Sequence, residues 1–232
     1  MGEVLRQEKK FLLTYPEFQN CSKQFDQILK PDIHNKEETG YLIRSLYFDT
    51  IYNQDFNEKE DGLEKRKKIR LRIYDTKQNF AMLEMKQKDG SNQKKRSLKI
   101  KKEHATQLIL GNYEVLLNYN DSFAIECFAV MNTQCYRPKS VVEYKRKAYV
   151  AKENNIRVTF DYDIRVTESN FNIFDEELAL NPIFQDSKVV LEVKYNNFLL
   201  SYIQDVLNTT DKSEVSVSKY CFSRSTTMKY VF

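Results

Sequence analysis

The chain has 232 residues, enough for one large domain with a substantial core. With 41% hydrophobic and 30% charged residues and no apolar run near the ~20 residues of a membrane span, the composition is that of a soluble globular protein and excludes a helical membrane protein. The 37 Lys and Arg against 33 Asp and Glu leave a net charge of +4, too small to name a partner, so the placement of the charges has to carry the argument.

The opening "MGEVLRQEKK" has no apolar signal core, so a cytoplasmic location is expected, and Gly2 lacks the downstream Ser or Thr that myristoylation prefers. The first strand is expected in "RQEKKFLLT" (6–14). Thr14, Pro16 and Glu17 then form a capping-box signature, and Phe18, Cys21, Phe25, Ile28 and Leu29 follow helical spacing behind it. Strands are expected in "YLIRSLYFDT" (41–50), "KKIRLRIYD" (67–75), "FAMLEMKQK" (80–88) and "KKRSLKI" (94–100), with "KDGSN" (88–92) as a hairpin turn. The stretches "HATQLILGNYEVLLN" and "DSFAIECFAVM" read as a helical pair. Further strands follow in "SVVEYKRKAYVA", "IRVTFDYDIRV" and "KVVLEVKY", then a helix in "NNFLLSYIQDVLN" and a last strand in "EVSVSKY" (214–220). No Ser, Gly or Pro-rich linker interrupts the series, so one domain over 1–232 is expected, of α+β class with an antiparallel sheet large enough to close.

Several motif classes are absent. The cysteines Cys21, Cys127, Cys135 and Cys221 form no C-x-x-C pair and have no ligand spacing to His34 or His104, which speaks against zinc. There is no G-x-S-x-G for a hydrolase triad.

What stands out is charge alternation along the strands. Lys68, Arg70 and Arg72 alternate with Ile69, Leu71 and Ile73, so one face of that strand is cationic and the other apolar. Arg6, Glu8 and Lys10 share a face, as do Glu84, Lys86 and Lys88, then Lys94 and Arg96, Tyr144 and Arg146, Arg157 and Thr159, and Glu192 and Lys194. A solvated sheet face explains any one of these. For the whole set, Lys and Arg dominate while acids gather in "NEKEDG" and "DEEL", and neighbouring like charges repel unless an anion joins them. Asp161 lies on the same face as Arg157 and Thr159, and a Glu-x-Lys step recurs at Glu8, Glu84 and Glu192; those three glutamates either pair with lysines or hold a divalent metal beside phosphate.

Taken in order, "RQEKKFLL", "SLYFDT", "KIRLRIYD", "LEMKQK", "KKR", "EYKRKAY", "IRVTFD", "LEVKY" and "SVSKY" resemble the VTC domain, the polyphosphate polymerase branch of the triphosphate tunnel (CYTH-like) superfamily. Arg6 stands where the wider superfamily usually has the first acid of a Glu-x-Glu-x-Lys motif, which fits that branch. The resemblance implies an antiparallel β-barrel enclosing a cationic tunnel, with flanking helices. It implies transfer of the γ-phosphate of ATP to a growing inorganic polyphosphate, with release of ADP. Lys10, Arg70, Arg72, Lys86 and Lys219 would be catalytic, and Lys94, Arg96, Tyr144, Arg146, Arg157, Lys194 and Ser218 would bind ATP, triphosphate or polyphosphate. Lys94 is preferred to Lys95 because it alternates with Arg96. Glu192 would hold Mn²⁺ or Mg²⁺, with Glu8 and Glu84 either near the metal or paired with lysines. Asp49 is expected to orient its strand rather than react. The same fold also admits a triphosphatase or polyphosphatase, or a non-catalytic polyphosphate-binding module. No nucleic-acid partner is expected, and coupling to a membrane would need a partner protein.

Overall fold

The computed structural model describes residues 6–35, 38–90, 92–184, 188–210 and 218–228, without the side chains of Arg6 and 226–228. Among them the chain is α+β, with one ten-stranded antiparallel sheet and six α-helices. The main strand path is β1 (Arg6–Leu13), β10 (Val189–Asn196), β8 (Ile156–Thr167), β7 (Tyr136–Ala151), β3 (Tyr41–Thr50), β4 (Arg66–Ile73), β5 (Phe80–Asp89) and β6 (Asn92–Lys101). The two-residue strands β2 (Lys30–Pro31) and β9 (Asn181–Pro182) pair off this path with β7 and β8. Among the described residues the path ends at β1 and β6 without closing, so the closed barrel expected from the sequence is not seen.

The chain divides into two compact units. The first comprises residues 1–42, 144–164 and 182–218, and the second 43–143, 165–181 and 219–232. In the first unit, α1 (Tyr15–Ile28) starts as its sequence requires: the Thr14 hydroxyl accepts from Glu17 N, and the Glu17 carboxylate accepts from Thr14 N at 2.7 Å. Its apolar stripe, Phe18, Cys21 and Phe25, packs with Val158, Phe160, Leu191, Val193 and α5 (Ser201–Leu207). Gly40 (φ +82°) is required where it stands, since a Cβ there would lie 2.0 Å from the Arg146 carbonyl oxygen.

In the second unit, one face of β3 to β6 carries Leu46, Phe48, Ile69, Leu71, Leu83, Met85 and Ile100. Over it pack α3 (Lys102–Ile109), a 3₁₀ turn at Glu114–Asn118 and α4 (Ser122–Thr133), the last opened by the Asp121 side chain. The expected central helical pair is present, although its first member breaks at Gly111. The expected hairpin joins β5 to β6, with Asp89 opposite Asn92.

Two elements differ from expectation. Part of the acidic "NEKEDG" loop is a helix, α2 (Gln54–Glu60). In "EVSVSKY", residues 214–217 lie outside the described residues, and Lys219 opens a helix, α6 (Lys219–Met228). Ser218 and Lys219 therefore stand at a helix start and not on a strand.

Candidate functional site

Each unit turns its apolar sheet face to its helices and carries charge on the other face. In the second unit, register sets the charged face directly. Tyr47 pairs with Arg70 and Ser45 with Arg72, Arg70 pairs with Glu84 and Lys68 with Lys86, and Lys86 pairs with Lys95. Directly opposed residues project on the same side, so Lys68, Arg70, Arg72, Lys86 and Lys95 share a face with Ser45 and Tyr47.

At the centre of this face sits Glu84, 3% exposed. Arg70 Nε donates to its Oε2 at 2.7 Å, Arg70 Nη2 lies 2.6 Å from the same oxygen, and Arg72 Nε is 3.9 Å away. Lys95 pairs with Oε1. Burial alone would raise this carboxyl, but Arg70, then Arg72 and Lys95, outweigh it and hold it at about 2. Glu84 is therefore a fixed anion that sets the positions of three cations. Arg70 Nη1 donates to the Tyr47 hydroxyl at 3.2 Å, and Arg72 Nε donates to Ser45 Oγ at 3.1 Å. Burial raises the Tyr47 hydroxyl less than Arg70 and Arg72 lower it, so the net shift is downward.

Tyr220 ties α6 to this face. Its ring stacks on Tyr47 at 5.2 Å, Lys68 lies over it at 5.9 Å, and its hydroxyl donates to Asp49 Oδ2 at 2.6 Å. Lys219 thus begins a helix docked beside the cationic face. Asp49 is a structural anchor, as expected: besides Tyr220 it accepts from the backbone N–H groups of Thr50, Asp55 and Phe56, fixing the start of α2.

The same corner holds Asp55, fully buried, with the Tyr136 hydroxyl 2.9 Å from both its oxygens and Lys67 Nζ at 3.6 Å. Burial pushes its carboxyl up, Asp49 pushes it further, and Lys67 and Tyr136 offset part of this, leaving it at about 7. A carboxyl raised on folding adds stability below its unfolded value, and that contribution is lost as pH rises through about 7. Asp55→Asn should therefore raise the melting temperature relative to the parent more at pH 8 than at pH 5. An equal gap at both pH values in thermal unfolding would contradict this.

Lys94 and Arg96 are corrected by the register. Arg96 pairs with Met85, a core residue, so both side chains lie on the helix-covered side. There Arg96 pairs with Glu126 of α4 and lies over the Phe123 ring at 5.0 Å, which pins α4 to the sheet. Lys95, not Lys94, belongs with Arg70. Glu84 does not fit a metal, because both oxygens already meet cations that would repel one.

In the first unit the polar face is electrically mixed. The Glu-x-Lys steps of β1 and β10 run antiparallel, placing Glu8 opposite Lys194 and Lys10 opposite Glu192. Lys10 Nζ lies 2.6 Å from Glu8, and Lys194 pairs with Glu192. Thr159 is opposite Glu192 on β8, and Arg157 opposite Lys194. Arg146 donates to Asp161 through Nε at 2.6 Å and Nη2 at 2.7 Å, and its Nη2 is 4.0 Å from Glu192. Arg157 donates to Asp32 at 2.9 Å and to the Tyr41 hydroxyl at 3.1 Å. Tyr144 is buried beneath Arg146, 5.5 Å from ring centroid to guanidinium carbon. Glu8 and Glu192 of the Glu-x-Lys steps, with Asp161, thus pair with the cations of this face.

The carboxylates of this face also meet cations: Glu8 pairs with Lys10, and Glu192 pairs with Lys194 and lies 4.0 Å from Arg146. Among the described residues no three His, Cys, Asp or Glu side chains gather as a metal site. Glu8 and Glu192 lie diagonally across β1 and β10, and Mg²⁺ or Mn²⁺ needs only one or two carboxylates when phosphate oxygens complete its shell. The buried Thr159 hydroxyl, on β8 opposite Glu192, has no hydrogen-bond partner among the described residues.

The VTC domain profile matches residues 5–228, nearly the whole chain. The chain belongs to the VTC domain family. That family falls within the CYTH-like superfamily. No curated protein matches the chain. Among solved structures, a proposed adenylate cyclase from Bacillus halodurans has a TM-score of 0.53 at 14% identity, covering 94% of this chain and 96% of its own. That likeness shows a common fold. The PH1819 protein of Pyrococcus horikoshii scores 0.39 at 10% identity, with coverages of 88% and 85%. A chain of the Mediator head module of Schizosaccharomyces pombe scores 0.45 at 8% identity, with coverages of 97% and 92%. In this VTC domain, the sequence did not reveal Glu84 as the clamp of the arginines, nor Asp161 as the partner of Arg146. Ser45, Tyr47 and Asp49 alternate with Leu46 and Phe48, a signal from which their shared polar face could have been read.

Proposed function

We propose that this VTC domain is a metal-dependent polyphosphate polymerase. The terminal oxygen of a polyphosphate chain attacks the γ-phosphorus of ATP, the bond from that phosphorus to the β–γ bridging oxygen breaks, and ADP leaves. The observation that carries the reading is the face of the second unit, where Lys68, Arg70, Arg72, Lys86 and Lys95 share one side of the sheet and Glu84, an ionised carboxylate, holds Arg70, Arg72 and Lys95. Phosphoryl transfer asks a protein chiefly for such fixed charge, and Arg adds bidentate contacts to phosphate oxygens. Glu84 holds the two arginines in place before substrate arrives, so little reorganisation is needed when phosphate binds. By family resemblance, Lys10, Lys194 and Arg157 on the polar face of the first unit are candidates for further phosphate contacts. Glu192, with Glu8, would hold Mn²⁺ or Mg²⁺ in exchange for their pairs with Lys194 and Lys10, and the metal would supply charge neutralisation for the triphosphate. Lys219, at the start of α6, adds a further cation.

The test is the purified protein with ATP and Mn²⁺ or Mg²⁺, scored for ADP, free phosphate and polymer on a gel. ADP with polymer is expected. Free phosphate without polymer would make the protein a triphosphatase of the same fold, and no turnover with retained polyphosphate binding would make it a binding module.

A further inference from the structure

The charged face of the second unit does not end at Arg72. Met82 of β5 pairs with Arg72, and Lys99 of β6 pairs in turn with Met82; one row further along, Lys101 pairs with Phe80. Lys99 and Lys101 therefore project on the side that carries Arg70, Arg72 and Lys95. Both are exposed. Among the described residues β6 pairs with β5 alone, so this end of the face is also an edge of the sheet.

The two lysines differ from Arg70, Arg72 and Lys95 in their partners. Glu84 holds those three, whereas no acidic side chain among the described residues pairs with Lys99 or Lys101. The opposed position on the next strand is where a cross-strand ion pair would form, and here it carries Met82 and Phe80. Lys99 Nζ instead lies over the Phe80 ring, 4.0 Å from its centroid. Two neighbouring cations with no counter-charge repel each other, and an anion lying across both relieves them. With strands about 4.8 Å apart and a rise of about 3.4 Å per residue, the Lys101 Cα lies roughly 12 Å from that of Arg72. A polymer spans that distance, and a triphosphate seated on the two arginines does not.

We propose that Lys99 and Lys101 form a track for the body of a polyphosphate chain whose end is held at Arg70 and Arg72. The inference rests on the polymerase reading above and adds to it a site that triphosphate leaves unused. Each lysine engaged releases counterions that a shorter chain leaves in place, so the track keeps a grown chain on the protein between additions. Lysines on an exposed edge also hinder pairing with other strands, a role the test separates from this one.

The test compares Lys99→Gln/Lys101→Gln with the parent and with Lys23→Gln/Lys152→Gln, which removes the same charge from exposed positions of the first unit. Each protein is checked by thermal unfolding and titrated by calorimetry with inorganic triphosphate and with long-chain polyphosphate at two ionic strengths. Lys99→Gln/Lys101→Gln should bind polyphosphate about tenfold more weakly and with a shallower salt dependence, while its triphosphate affinity stays within about twofold of the parent. The control pair should keep both affinities. Unchanged polyphosphate affinity in Lys99→Gln/Lys101→Gln overturns the track, and if that variant also aggregates the lysines serve the edge. An equal loss for both ligands, or the same loss in the control pair, overturns it as well. A parent that binds neither ligand removes the phosphate reading on which the track rests.

Discussion

Replacing Arg70 and Arg72 together with Ala is expected to weaken triphosphate binding by about 10²- to 10⁴-fold, since a hydrogen bond to a charged group contributes about 1.5–3 kcal/mol. The structure adds a second effect. Glu84 is nearly fully buried, and both arginines compensate its charge. Removing them leaves a buried carboxylate with Lys95 as its remaining close ion-pair partner among those described above, and breaking buried pairs in this way costs about 3–5 kcal/mol. The double variant should therefore melt lower as well as bind worse. Adding Glu84→Gln separates the two effects: it should recover most of the lost melting temperature and none of the binding. If binding returns along with stability, the arginines serve the fold and not the phosphate.

Glu192→Gln carries the second large effect, and its sign discriminates. The amide keeps the shape of the side chain and loses the charge that attracts a hard cation. Metal-dependent turnover should fall by about 100-fold, the upper range for losing support of a metal site. Binding of metal-free triphosphate should hold or tighten, because one negative charge has left the face that receives it. If Glu192 serves only as an ion-pair partner of Lys194, the variant would instead melt lower and keep its full dependence on metal.

The faces themselves were legible from sequence because alternation is local. Once "KIRLRIYD" is a strand, Arg70 and Arg72 must share a side opposite Ile69 and Leu71. Which residue of a neighbouring strand joins them depends on pairing across a turn, where a shift of one residue moves every side chain to the other face. Alternation with Arg96 alone selects Lys94. The two-residue turn after Asp89 pairs 89 with 92 and hence 86 with 95, so the hairpin "KDGSN" already held the signal for Lys95. The helix α2 was hidden for a different reason. Its seven residues are anchored by Asp49, through hydrogen bonds from the backbone of Asp55 and Phe56, and no spacing within the helix announces that contact. At "SKY" the alternation of Val215 and Val217 suggested a strand, while burial of Tyr220, Cys221 and Ser223 follows helical spacing that starts only at Lys219. The partners of the cations, Glu84 for Arg70, Asp161 for Arg146 and Glu126 for Arg96, are contacts between elements that a count of charges cannot supply.

The central claim is that the charged faces bind a phosphate chain, and calorimetric titration tests it most directly. Orthophosphate, triphosphate and long polyphosphate would each be titrated into the protein at two ionic strengths. Affinity should rise at each step of chain length, and it should fall steeply with salt, because every phosphate engaged by Lys or Arg releases counterions. An affinity that is flat from orthophosphate to polymer and unchanged in high salt would contradict the account.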